Sequence, residues 1–136
     1  MNENKIKHLE FIQNVITRMA QNSFLLKGWS VTIIVGIFAF ANTKEMDAKY
    51  LLIAYIPVVC FWFLDGFFLH QERLFRKLYD DVRCKEEANI DYSMNTSPYI
   101  NDVSSWVGVC FSTTLLFFYI PLIIVILIAI LVLPNL

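Results

Sequence analysis

The sequence has few of the charged residues that a soluble protein or a nucleic-acid binder needs. Only 17% of its 136 residues are charged, whereas 57% are hydrophobic, which is far from the balance of an average soluble domain. The formal net charge is only -1, so overall charge does not indicate a nucleic-acid binder, and any basic surface has to be local. This composition favours a membrane protein.

Cysteines and histidines are also few, and they are widely spaced. The chain has three cysteines and two histidines, with no CxxC pair and no paired histidines, so neither a zinc site nor a disulfide framework is indicated. It lacks a GxxxxGKS/T loop, a GxGxxG turn, an HExxH pair and a serine, histidine and acid arrangement. We therefore expect no enzyme, no cofactor and no metal ion.

Long hydrophobic runs, by contrast, dominate the chain. Residues 24–41 form an apolar run that would extend about 27 Å as a helix, close to the thickness of the hydrocarbon core. A second run covers residues 50–69, and the polar linker between the two allows only a tight turn. The runs predict a transmembrane helical hairpin over residues 23–69, and the charge-free residues 104–136 predict a C-terminal transmembrane helix.

The third run is too long for one upright crossing. As a continuous helix, residues 106–133 would extend about 42 Å, so the segment has to tilt, kink or begin along the membrane interface. Pro121 is the expected kink, because proline removes one backbone donor and crowds the preceding turn. The alternative is a re-entrant hairpin folded at Pro121.

Two segments outside the runs have helical patterns. Residues 1–22 predict a cytoplasmic amphipathic helix, whose apolar stripe has to be covered by lipid headgroups, a neighbouring subunit or a second cytoplasmic helix. Residues 70–103 predict that second helix, as a continuation of the second span to about Glu87, followed by a turn-rich loop. The predicted fold class is therefore an all-α integral membrane protein with three transmembrane helices.

Lysine and arginine counts predict the orientation. Four of these residues flank the amino side of the first run, two lie between the first and second runs, and five follow the second run. The positive-inside rule then places the N-terminus and residues 70–103 in the cytoplasm.

Two charged residues fall inside the hydrophobic runs. Lys27 lies about one helical turn inside the cytoplasmic end of the first run, and Asp65 just over one turn inside that of the second. Because antiparallel neighbours bring them to the same level, we expect an ion pair, within one subunit or across two, that offsets the cost of burying charge. Facing a water-filled axis, the pair would gate or select ions. The alternative is that Lys27 snorkels to the headgroups while Asp65 lies in wet interface.

The continuation of the second run carries several basic residues. The candidate ligands for an anion are Arg73, Arg76, Lys77 and Arg83. Phosphate matches the planar donors of arginine. The alternative is a solvated helix with many ion pairs, because Glu72 and Arg76, Arg76 and Asp80, and Lys77 and Asp81 each lie four residues apart.

Small residues recur every four positions on one face of the first run, at Gly28, Thr32 and Gly36. Such spacing lets helix backbones approach closely inside lipid. This face is therefore predicted to pack against another helix, and the protein to form a homo-oligomer.

Two blocks, RMAQNSFLLKGWSVTIIVGIFAF and FLDGFFLHQERLFRKLYDDVR, resemble the small membrane effectors of bacterial anti-phage defence systems. The layout of residues 1–85 is similar to SLATT-type two-span effectors and to the channel effector of Hailong-type systems, although a third span departs from the two-span pattern. The resemblance implies an oligomeric channel in the bacterial inner membrane, closed until a nucleotide or oligonucleotide made by a partner nucleotidyltransferase opens it.

We therefore predict a signal-gated pore that depolarises the membrane, with Lys27 and Asp65 at its gate and the basic residues after the second span receiving the signal. The alternative from another class is a non-conducting membrane anchor or assembly subunit, in which the amphipathic helix docks a soluble partner enzyme. The long charged helix argues against a phage-type holin.

Overall fold

Helices account for every regular element in the part of the chain that the computed structural model describes, residues 2–41 and 48–132. The four α-helices are α1 (Glu3–Ala41), α2 (Tyr55–Cys84), α3 (Trp106–Cys110) and α4 (Thr113–Val132). Short 3-10 helices cover Ala48–Ala54, Glu87–Asn89 and Ser97–Asp102. The predicted all-α class is confirmed, while the turn predicted between the first two spans lies largely outside the described residues.

Three of these helical segments are long and apolar enough to cross a membrane: Glu3–Phe40, Leu51–Cys84 and Thr113–Val132. Many of their apolar side chains point away from the protein, as the exposed fractions of Phe24 (76%) and Phe117 (81%) illustrate. Soluble monomers rarely expose apolar surface on this scale. The prediction of three candidate spans is confirmed, and these outer faces suit lipid.

α1 joins the predicted amphipathic helix to the first span without a break. It runs for 39 residues, because no proline interrupts it and the first glycine comes only at position 28. The predicted boundary at residues 22 and 23 therefore lies inside one continuous helix. The part of α1 before residue 23, residues 70–84 of α2 and the segment 85–105 pack together; we call them the extramembrane bundle, because the sequence predicts that they lie outside the membrane.

Three residues of the apolar stripe predicted for the first part of α1, Leu9, Ile12 and Ile16, are buried inside this bundle, whereas Ile6 is 42% exposed. The shared core consists of Leu9, Ile12, Ile16, Leu78, Val82 and Ile90. Of the three covers that the stripe could take, the second helix is the one that the structure has. Neither lipid headgroups nor a neighbouring subunit is needed to shield these side chains from water.

The C-terminal end of α2 is closed by a lysine from α1. Lys5 is only 7% exposed, and its Nζ donates hydrogen bonds to the carbonyl oxygens of Arg83 at 3.2 Å and Lys85 at 2.7 Å. A cation suits this position, because the last carbonyls of a helix lack intrahelical donors and carry partial negative charge. α2 accordingly ends at Cys84, slightly earlier than the sequence predicted.

The third hydrophobic run is divided in two, but not at Pro121. Ser112 lies at the division: its N–H donates to Val109 O at 3.0 Å at the end of α3, and its carbonyl accepts from Leu116 N at 2.9 Å at the start of α4. α4 has 20 residues, about 30 Å, which matches the hydrocarbon core. Because α4 continues through Pro121, the re-entrant hairpin is not formed, and the excess length is taken up by the short α3.

α3 lies directly against α2 at Gly66. A Cβ atom added to Gly66 would overlap the sulfur of Cys110, whereas one added to Gly28 or Gly36 would meet no atom within 4 Å. Trp62 stabilises the same contact, because its indole N–H donates to the carbonyl oxygen of Cys110 at 2.6 Å. Of the glycines on α1 and α2, Gly66 is therefore the one in close contact with another helix of the chain. The predicted packing face of α1, with Gly28 and Gly36, points away from the other helices.

The segment that follows α2 is hydrogen-bonded to α2 at Asp81. The phenol of Tyr99 donates a hydrogen bond to the Asp81 carboxylate, which also pairs with Lys85 at 3.1 Å. Burial of the phenol, together with this carboxylate, raises the pKa of Tyr99 to about 12 from its ordinary value of 10.0. Since the pKa is raised on folding, the contact is at full strength below pH 10 and is lost as the pH rises through 12.

Substituting Gly66 tests the contact between α2 and α3. Gly66→Ala should lower the stability of the protein in detergent by about 1–3 kcal/mol, as overpacking of a tight contact does. Gly108→Ala is the matched control, because a Cβ atom added at Gly108 would make only ordinary contacts, at 3.4 Å or more, and alanine favours the helix. Adding Cys110→Ala to Gly66→Ala should restore stability. Equal melting temperatures for Gly66→Ala and Gly108→Ala would contradict the contact.

Spectrophotometric titration tests the Tyr99 contact. The difference in tyrosinate absorbance between the wild type and Tyr99→Phe should titrate near pH 12. In an Asp81→Asn background the same difference should move towards pH 10, because the carboxylate that opposes ionisation is gone. A wild-type difference curve already centred at pH 10 would show that Tyr99 is not held on α2.

Candidate functional site: a buried ion pair and a basic cavity

Asp65 lies where the three candidate spans meet. Its side chain is 0% exposed, and it projects from α2 between the other two helices. It accepts hydrogen bonds from Lys27 Nζ at 2.6 Å and from the hydroxyl of Ser23, both on α1. On the other side, it accepts one from the phenol of Tyr119 on α4 at 2.9 Å. One carboxylate therefore joins all three helices.

The ammonium group of Lys27 is turned inward towards this carboxylate. Its Nζ also donates to Ser23 Oγ at 2.8 Å, and it lies 5.8 Å from the centre of the Phe118 ring, within the range of a cation–π contact. The Lys27 side chain is 22% exposed. The expected ion pair thus lies within a single chain. The alternative, with Lys27 at the headgroups and Asp65 in wet interface, is not the observed arrangement.

Tyr119 completes the site and was not found by sequence reasoning. It is fully buried, its ring stacks on Trp62 with centres 5.8 Å apart and planes 3° apart, and its hydroxyl also lies 3.4 Å from the carbonyl of Phe61. The available signal was weak: a hydroxyl-bearing residue in a charge-free run needs a hydrogen-bond partner inside the bilayer. Ser23, four residues before Lys27, carried a similar signal.

In this arrangement the carboxylate of Asp65 is closed off from solvent. Burying a carboxylate or an ammonium alone is costly, and the cost falls when the two are paired and their remaining hydrogen-bonding positions are filled. Asp65 has a counter-charge and two hydroxyl donors, and no part of it reaches solvent in the single chain. The pair therefore seals the helix junction and does not line an open path through this chain.

The predicted anion ligands fall into two groups. Arg73, Arg76 and Lys77 line one cavity of about 330 Å³, whose other wall is formed by residues 102–104. Arg83 does not line this cavity, and its guanidinium lies 3.8 Å from Asp80 at the exposed end of α2. The structure thus brings three of the four residues together.

Ion pairs on this part of α2 differ in part from those predicted. Glu72 and Arg76 pair at 3.1 Å as expected. Asp80 and Asp81 pair instead with the later residues Arg83 and Lys85, so the predicted partners Arg76 and Lys77 are not used there. Among the described residues, Arg73 and Lys77 form no ion pair with any acidic side chain. Two cations one helical turn apart are therefore available to the same cavity.

The cavity and the ion pair are connected by two helices. Arg73 follows Asp65 by eight residues on α2, about 12 Å along the helix axis. From Ser104, on the opposite wall of the cavity, the chain leads into α3, which contacts Gly66 beside Asp65. A change at the cavity is therefore within reach of the ion pair through both walls.

Comparison with known proteins gives no match: no family model, no curated protein and no solved structure is similar to the chain. The resemblance to defence effectors therefore stays a prediction.

Double-variant analysis tests the ion pair. Asp65→Leu and Lys27→Met should each lower the stability of the detergent-solubilised protein, by up to about 3–5 kcal/mol, because each leaves the other charge buried without its partner. The double variant should lose less than either single change. As a control, Glu3→Gln removes the exposed pair with Lys7 at 4.0 Å and should have almost no effect. Additive losses in the double variant would show that the two charges do not interact.

Proposed function

We propose that this chain is a subunit of a homo-oligomeric, signal-gated ion channel in a bacterial inner membrane, acting as a depolarising effector in anti-phage defence. The observation that supports it most is the connection of a sealed intramembrane ion pair, Lys27 and Asp65, to a cavity with two unpaired cations by one continuous helix. The proposed ligand is a nucleotide or oligonucleotide made by a partner nucleotidyltransferase.

The ion pair serves as the gate in this proposal. The closed state is held by the contacts of Asp65 with α1 and α4. If the helices separate at this level, the two charges lose their partners and are stabilised only by water, because an uncompensated charge in hydrocarbon is costly. Separation of the helices and hydration of the path are thus coupled.

The basic cavity serves as the receiver of the signal. A phosphate held by Arg73 and Lys77 and by the hydroxyl of Ser104, next to the carboxylate of Asp102, would change the position of that wall against α2. The same wall continues into α3, whose position against Gly66 is fixed by a contact too tight for a methyl group. Movement of the wall would therefore disturb the surroundings of Asp65.

Assembly of several copies is a required part of the proposal, because the single chain has no open path past Asp65. The face of α1 that carries Gly28, Thr32 and Gly36 supports this step. Thr32 is exposed, an added Cβ at either glycine meets no atom within 4 Å, and small residues are suited to contacts between membrane helices.

The alternative function, a passive anchor whose amphipathic helix docks a partner enzyme, is less well supported. The apolar residues Leu9, Ile12 and Ile16 of that helix are buried against α2 within the same chain, and only Ile6 of the stripe is largely exposed. A partner could reach the buried residues only after the extramembrane bundle had opened.

Membrane-potential measurements test the proposal. In bacteria expressing the chain, Asp65→Asn and Lys27→Met should raise the resting depolarisation reported by a potential-sensitive dye, because each weakens the closed state. Arg73→Gln with Lys77→Gln should keep the wild-type resting potential and abolish the response when the defence signal is induced. Glu10→Gln, at an exposed position of α1, is the control. Unchanged potential in all variants, or a purified protein that stays monomeric, would contradict the channel.

A further inference from the structure

We propose that the basic cavity binds the phosphodiester of an anionic lipid headgroup from the leaflet next to the extramembrane bundle. The inference rests on the proposed function only in taking this cavity as the ligand site, and it names a lipid as the occupant of the resting protein. The juxtaposition that carries it is two unpaired cations on α2, at the depth of the headgroups, facing residues 102–104.

The depth of the cavity follows from helix geometry. The apolar run of α2 ends at Leu69, so Arg73 lies about 6 Å and Lys77 about 12 Å beyond the hydrocarbon boundary. The polar layer of a bilayer is about 5–8 Å thick on each side of the hydrocarbon core. The guanidinium of Arg73 is therefore at the level of lipid phosphates. The Lys77 side chain tilts towards the N-terminus of α2, and its flexible methylenes let the ammonium return towards that level.

The opposite wall of the cavity lies at the same depth. It continues directly into Trp106, which is 46% exposed and donates its indole N–H to the carbonyl of Phe63 at 2.9 Å. The Phe67 ring lies edge-on to this indole with centres 6.3 Å apart. Exposed aromatic residues with a satisfied polar group are typical of the membrane interface. The chain therefore passes from the cavity wall at residues 102–104, level with Arg73 and Lys77, to the edge of the hydrocarbon at Trp106.

The net charge of the cavity favours a phosphodiester over a phosphate monoester. Three cations face the cavity, opposed by the carboxylate of Asp102 on its other wall and by Glu72, which pairs with Arg76. This leaves a single net positive charge, which matches a phosphodiester with one negative charge better than a phosphate monoester with nearly two. Asp102 and Ser104 add a hydrogen-bond acceptor and a hydroxyl, which suit a headgroup that carries hydroxyl groups. Phosphatidylglycerol has this chemistry.

A soluble oligonucleotide offers the same phosphodiester and hydroxyl groups, so the two sources have to be separated by experiment. The depth of the cavity favours the lipid, because a headgroup is held at this level at high local concentration. A soluble signal would then have to displace the lipid, and the lipid would set the sensitivity of the channel.

Native mass spectrometry of the protein in neutral detergent tests the inference. The probes are phosphatidylglycerol, phosphatidylcholine as the neutral lipid, and glycerophosphoglycerol, which is the same phosphodiester without acyl chains. Wild-type protein should retain phosphatidylglycerol in preference to phosphatidylcholine. Arg73→Gln with Lys77→Gln should weaken that binding by about tenfold or more, as loss of charge-assisted hydrogen bonds does. Arg73→Lys with Lys77→Arg, which keeps both charges, should preserve it, and an unchanged melting temperature of the glutamine variant in detergent excludes misfolding.

Arg18→Gln is the matched control, because Arg18 is an exposed cation of α1 outside the cavity. Loss of lipid binding in this variant to the same extent as in the Arg73 and Lys77 variant would overturn the inference. So would retention of glycerophosphoglycerol without phosphatidylglycerol, which would assign the cavity to soluble ligands, or binding of both lipids equally. Lipid binding is measured without ion flux, so failure of the channel proposal and failure of this inference are distinguishable.

Discussion

A carboxylate buried among apolar helices constrains everything around it. Asp65 has no contact with solvent in the single chain, so its charge has to be balanced by groups that its neighbours bring to the same depth. α1 supplies Lys27 and Ser23, and α4 supplies Tyr119. Because hydrogen-bond lengths tolerate little displacement, this single group fixes the relative height of three helices for which lipid provides no hydrophobic drive to associate.

A second polar contact, in the extramembrane bundle, also fixes the position of α1 along α2. Lys5 closes the end of α2, and the residue numbers of its partners Arg83 and Lys85 show that α1 and α2 pair there in the same antiparallel register as at Lys27 and Asp65. Both helices run from one contact to the other without interruption. α1 and α2 are therefore held at two distant points, and sliding one along the other would break polar contacts at both.

The sequence predicts the features that depend on local periodicity and on depth within the apolar runs. The three spans and the pairing of Lys27 with Asp65 follow from run lengths and from the antiparallel order of neighbouring helices. Tyr119 and Gly66 could not be assigned in the same way, because their partners come from distant segments. The contact of Tyr119 depends on the turn at Ser112, which lies between α3 and α4. A serine within an apolar run does not by itself indicate such a turn, and Pro121, which does suggest one, lies inside α4.

The same contacts indicate which element is held by the fewest interactions. α1 and α2 are locked at both ends, whereas α3 has only five residues and is held by the indole hydrogen bonds of Trp62 and Trp106 and by its packing on Gly66. It follows the wall of the basic cavity in sequence and lies beside Asp65 in space. In the proposed channel, a ligand that moved this wall would therefore act on α3 first, and the free energy required would be that of a few hydrogen bonds instead of the separation of two long helices.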